Sequence, residues 1–145
     1  MIFKNDKDFQ VPRENRCCVC GEQEDTQLTR HHIIPSCYSS KLSSELKKDL
    51  HRKIHLYYYE WDYCCACKKC HIEYEEKYSD MLHEKIRNRY SVNLEDTSYR
   101  NLDSDKPKPS ELVMAQINSI EQYLELREFC TQFFIEKMKP KFSLI

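Results

Sequence analysis

The chain has 145 residues and a mass of 17.6 kDa, which is one domain's worth of sequence with room for a modest core. Its 23 basic and 24 acidic residues leave a formal net charge of -1, so any nucleic-acid role has to rest on local patches rather than on overall charge. A single glycine argues against phosphate loops and dinucleotide fingerprints, and no apolar run approaches the roughly 20 residues of a membrane span.

In chain order, residues 1–16 read as a polar lead-in, and the opening MIFKNDKDFQ is too polar for a secretion signal. The expected setting is therefore an intracellular, reducing compartment, nucleus or cytoplasm. Leu28 to Ile34 has the β-branched and apolar character of a strand, with Pro35 at or beyond its end. Ser43 or Ser44 can cap a helix, expected over 42–58, in which Leu42, Leu46, Leu50 and Ile54 recur every four residues. The run LYYYEWDYCCAC suggests a second strand, and its tyrosines at 57–59 read as core or interface residues. From Cys70 onward Tyr74, Tyr78, Leu82 and Ile86 fall at helical spacing, which predicts a helix over 70–90. Residues 97–109 form a linker by composition. Ser110 is then expected to cap one long helix that runs to Lys139, where Pro140 stops it, with a broad Leu/Phe stripe that must pack on the domain or on a partner. The fold class is α+β, with a metal-binding unit at 17–96 and the helical segment at 110–145.

The nine cysteines carry the first strong signal. Without a secretion signal a disulfide framework is not expected. Two C-x-x-C pairs, Cys17–Cys20 and Cys67–Cys70, read as a four-cysteine structural Zn²⁺ site, with 46 residues of other structure between them. The register is open at this stage, because Cys18 can replace Cys17 and Cys64 also forms a C-x-x-C with Cys67. Cys37 and Cys130 read as small buried hydrophobes.

Candidate chemistry concentrates in His31–His32 and in His71-x-x-x-Glu75. On a helix, residues four apart share a face, so His71 and Glu75 can hold one divalent ion from one side. On a strand, neighbours point to opposite faces, so one of His31 and His32 can ligate that ion while the other approaches a substrate differently. Phosphodiester hydrolysis needs a base for water and a cation for the developing charge, and these residues supply both. A carboxylate among the ligands favours a hard ion, Mg²⁺ or Mn²⁺. Arg30, Lys47, Lys48, Arg52, Lys68 and Lys69 are candidates for tracking a phosphate backbone, although a solvated face explains such charges equally. His51, His55 and His83 read as solvated or packed side chains.

Taken together, Cys17-x-x-Cys20, the run Arg30-His31-His32-Ile33-Ile34-Pro35, Asp62, and Cys67-Lys-Lys-Cys70-His71-x-x-x-Glu75 resemble the HNH endonucleases, the zinc-stapled ββα-metal nucleases. The resemblance covers about residues 15–90. It is closest to the HNH-like C-terminal region of eukaryotic 3′–5′ exonuclease-domain proteins, through HHIIPSCYSSKLSSELK and CKKCH. It implies a ββα-metal core, His32 as general base, His31 and His71 as ligands of the catalytic ion, and cleavage of nucleic acid, DNA favoured over RNA. Two positions depart from the family pattern: Glu75 stands where the family has a final His or Asn, and Asp62, a catalytic candidate that can orient His32 or contact the metal, stands where it has an Asn that positions a backbone turn. Three functions follow as expectations: a metal-dependent endonuclease, a non-catalytic zinc module that binds nucleic acid, and an interaction module whose C-terminal helix joins a second copy or another protein.

Overall fold

The structure, a computed structural model, describes residues 15–54, 63–97, 105–142 and 144. Asp62, His55 and the tyrosines at 57–59 lie outside the described residues. The chain is mixed helix and strand. Strand β1 (Leu28–His32) pairs antiparallel with β2 (Tyr63–Cys67), Leu28 opposite Cys67 and His32 opposite Tyr63. Between them come a single turn of helix, α1 (Ser36–Ser39), and α2 (Ser44–Ile54). Helix α3 (Lys68–Arg89) follows β2 without a loop, and the short α4 (Pro109–Met114) and long α5 (Ile120–Met138) complete the fold.

Local chemistry accounts for most of the boundaries. Pro35 has no N–H to offer a ladder and stands just ahead of α1. The Ser43 hydroxyl accepts the Leu46 N–H at 3.2 Å, a side-chain cap for α2, whose Leu46 and Leu50 are buried together with Leu42. The Cys67 sulfur caps α3 in the same manner, accepting the Cys70 N–H at 3.4 Å. At the far end of α3, Ser91 takes a left-handed φ of 56°. The Val92 N–H then returns to the Arg87 carbonyl at 2.9 Å, closing the helix without a glycine.

The single helix expected from Ser110 to Lys139 is instead two. Ser110 is buried inside α4, which starts at Pro109, and the chain breaks helix between Met114 and Ile120. The Ser119 hydroxyl accepts the Gln122 N–H at 3.2 Å, while the Gln122 side chain accepts the Asn118 N–H at 2.7 Å. These two side-chain bonds, on the N–H groups of Gln122 and Asn118, restart the helix, and they outweigh the apolar periodicity that runs across the break. Lys139, at a φ of 48°, ends α5 ahead of Pro140.

The sheet lies against α3, and α5 lies against α3 and α2. Tyr123, Leu126, Cys130, Phe133 and Phe134 of α5 join Tyr74, Leu82 and Ile86 of α3 in one continuous core. The Leu/Phe stripe is thus covered by the chain itself. Among the described residues no helix is long and apolar enough to cross a membrane.

Candidate metal centres

The two knuckles come together around the start of α3. In the first, the Cys17 N–H bonds the Glu22 carbonyl at 2.8 Å and the Gly21 N–H bonds the Cys17 carbonyl at 2.9 Å, folding the loop back on itself. Gly21 sits at a φ of 84°, and a Cβ there would lie 2.7 Å from the Phe142 ring, so both backbone and space require the chain's one glycine at this turn. The Cys18 N–H bonds the Cys65 carbonyl at 2.9 Å and hangs the knuckle on β2. The Phe142 N–H reaches the Cys18 carbonyl at 3.0 Å and ties the C-terminal segment over it.

The sulfurs of Cys17, Cys20, Cys67 and Cys70 all lie within 4.8 Å of one another, which resolves the register in favour of these four. Cys20 Sγ and Cys67 Sγ are 3.6 Å apart, too far for a disulfide. The tetrahedron around a zinc ion, with Zn–S of 2.3 Å, puts its sulfurs about 3.8 Å apart. Burial raises the Cys20 and Cys70 thiols above the ordinary thiol range. For Cys17 burial also acts upward, but hydrogen bonds from the Cys20, Cys67 and Val19 backbone outweigh it and bring the thiol down to about 7. The Cys17 sulfur is therefore inclined toward thiolate, while those of Cys20 and Cys70 need a cation to lose their protons, a donor set suited to a soft divalent metal.

One residue beyond Cys70, the same helix presents a second cluster. Ligating atoms of His31, His71 and Glu75 lie within 4.8 Å of one another, with His71 Nε2 at 3.6 Å from Glu75 Oε1. His31 is 7 % exposed. Its ring stacks on Phe134 of α5 at 4.9 Å and meets Tyr74 edge-on at 4.7 Å. Burial, then the neighbouring His71 and His32, lower its pKa to about 3, so this imidazole stays neutral and keeps a lone pair at any working pH. His71 Nδ1 is 2.8 Å from the Thr29 hydroxyl, which itself donates to the Ala66 carbonyl at 2.6 Å.

His31, His71 and Glu75 border a cleft of about 340 Å³, and His32, Arg30, Cys37, Ser79 and His83 border it too. Residues 71, 75, 79 and 83 follow one another every four positions along α3, so one side of the cleft is a row of polar side chains spanning about 18 Å of helix. His83, at its far end, is a packed histidine, one of the two expected readings, and it also borders the cleft. Its Nδ1 is 2.8 Å from the hydroxyl of buried Tyr38, and its ring stacks on that tyrosine at 5.3 Å. Cys37 is exposed rather than buried, because it faces outward from the single turn α1, whereas Cys130 is buried in α5 as expected. A second cleft of about 460 Å³ lies on the other side of His71 and Glu75, bordered by Thr29 and Lys68.

Comparison with protein-family models, with curated proteins and with solved structures finds no match.

The basic candidates divide. Arg30 and Lys68 border the two clefts. Lys69 is exposed in the first turn of α3, and Lys48 and Arg52 are exposed on α2 with Lys47 half-buried. These last three border neither cleft. Thr29, Ser79, Tyr38, His83 and Phe134 are site residues that the motif reading passed over. The four-residue repeat from His71 announces Ser79 and His83. Nothing local marks Thr29, Tyr38 or Phe134, which reach the site only through strand pairing and helix packing.

Proposed function

We propose that this chain is a metal-dependent endonuclease of the HNH type that hydrolyses phosphodiester bonds in nucleic acid, DNA favoured over RNA. The observation that carries the reading is the cleft in which His31, His71 and Glu75 converge with His32 at its edge, on a strand pair and helix held together at one end by four clustered cysteines. In this reading Cys17, Cys20, Cys67 and Cys70 hold a structural Zn²⁺, and His31, His71 and Glu75 hold Mg²⁺ or Mn²⁺. Such an ion supplies charge neutralisation at the scissile phosphate and at the leaving oxygen. His32 takes the proton of the attacking water as general base. His31, neutral by burial, presents its lone pair without a proton to lose. Glu75 adds a hard oxygen, which suits Mg²⁺ or Mn²⁺. Arg30 and Lys68, at the edges of the two clefts, are the cations best located to meet flanking phosphates. No two of the nine cysteines form a disulfide, and four of them cluster as zinc ligands do, which fits a reducing compartment such as nucleus or cytoplasm.

Plasmid nicking with Mg²⁺ or Mn²⁺ tests the proposal. His32→Ala is expected to lower the cleavage rate by about 10²–10⁴ while the zinc content and Mn²⁺ binding stay at parent values. Equal rates for the variant and the parent would remove the general-base assignment and leave a zinc module that binds nucleic acid without cutting it.

A further inference from the structure

His71 can offer a metal its Nε2 lone pair only if the ring's single proton sits on Nδ1. The hydrogen-bond geometry around Thr29 fixes where that proton is. Thr29 Oγ1 stands 2.6 Å from the Ala66 carbonyl oxygen and 2.8 Å from His71 Nδ1. Two oxygens at 2.6 Å need a proton between them, and a carbonyl can only accept, so the one hydroxyl proton of Thr29 goes to Ala66. The contact with His71 must then run the other way, with Nδ1–H donating to the hydroxyl oxygen. Ala66 is the cross-strand partner of Thr29 and immediately precedes Cys67, so the acceptor that sets this chain of bonds is fixed by the sheet and by the knuckle. On the opposite edge of the ring Nε2, which carries the lone pair when the ring is neutral, is 3.6 Å from the Glu75 carboxylate and belongs to the cluster with His31.

We infer that Thr29 is a positioning residue, which holds His71 in its Nδ1–H tautomer and turns the Nε2 lone pair toward the ion site shared with His31 and Glu75. The inference rests on the divalent-ion reading of that cluster for its purpose, but its content is a statement about one proton and is measurable with no second ion present. The relay has the logic of a carboxylate or carbonyl behind a metal-bound histidine, with a hydroxyl interposed. Because a hydroxyl is both donor and acceptor, neither valine nor alanine can replace it, and serine can.

The test uses ¹⁵N-histidine-labelled, zinc-loaded chain, with long-range ¹H–¹⁵N correlation reading the His71 tautomer and Mn²⁺ titration reading the second site. The expected result is Nδ1–H in the parent and in Thr29→Ser. Thr29→Val, with zinc stoichiometry unchanged, is expected to show the Nε2–H form and a Mn²⁺ affinity lower by about 10–100-fold. An Nε2–H tautomer in the parent, which needs no variant to fold, overturns the inference. So does a Thr29→Val chain that keeps both the parent tautomer and the parent affinity. A parent that holds the Nδ1–H form yet takes no Mn²⁺ overturns the ion reading instead, and the tautomers of the serine and valine variants then decide on Thr29 by themselves.

Discussion

His31 shows how a single residue can serve the core and the site together. Its ring is packed between Phe134 and Tyr74 as an aromatic side chain would be, yet one of its nitrogens belongs to the ligand cluster. This double use has a cost in acid. Below the ordinary value of 6.5 the unfolded chain binds a proton on this ring, while the folded chain does not until about pH 3. The unfolded state holds more protons across that window, so stability falls as the pH drops through it. From about pH 7 to about pH 5.5 this amounts to about 1 kcal/mol. His31→Phe, melted with zinc present and no second ion, is expected to lose that much less stability over the same interval than the parent does. Equal losses would mean that the ring is protonated in the fold. The motif chemistry of His31, His71 and Glu75 was legible because residue type and spacing alone carry it. The burial of His31 was not, since Phe134 approaches from a helix about a hundred residues along the chain. Asp62 stands outside the described residues.

At the scale of elements, β-branched and apolar character predicts the strand before Pro35, and apolar periodicity predicts the helix after Ser43 and the helix behind the second knuckle; each is present, the end expected for the helix after Ser43 lying outside the described residues. The C-terminal helix fails instructively. Its apolar positions continue through residues 115–119, but side-chain hydrogen bonds at Asn118, Ser119 and Gln122 interrupt the backbone there. Periodicity reports which face is buried, whereas caps decide where the chain turns, and α4 and α5 can both lie on one core without being one helix. Ser119→Ala is expected to destabilise the fold by about 1 kcal/mol, read as a lower urea midpoint with an unchanged slope. A midpoint identical to the parent's would show that the Gln122 side chain alone sustains the restart. The capping signal Ser-x-x-Gln was present in the sequence. Ser110, next to a proline, offers an equally good helix start earlier in the chain, and residue type alone does not rank the two.

At the scale of the whole molecule, α3 is the member on which the other parts converge. The sheet leads into its first turn, α5 lies along it, and its row of polar side chains borders the cleft. Its first turn carries Cys70 and His71 as consecutive residues, and the Ala66 carbonyl that orients the Thr29 hydroxyl directly precedes Cys67. The two clusters therefore share a backbone segment a few residues long. Two ligands that depend on one piece of backbone have linked affinities, and linkage is reciprocal. Withdrawing zinc with a chelator under reducing conditions is expected to weaken Mn²⁺ binding at the second site by at least about tenfold. Saturating Mn²⁺ is expected to tighten zinc binding by the same factor. Mn²⁺ affinity that ignores zinc content would show that the sheet and α5 hold His31, His71 and Glu75 without the knuckles. Linkage of this kind makes each metal a helper of the other, so that a shortage of one lowers the occupancy of both. On the proposed reading of the second cluster, the abundance of zinc would then govern how much of the other ion this chain can hold.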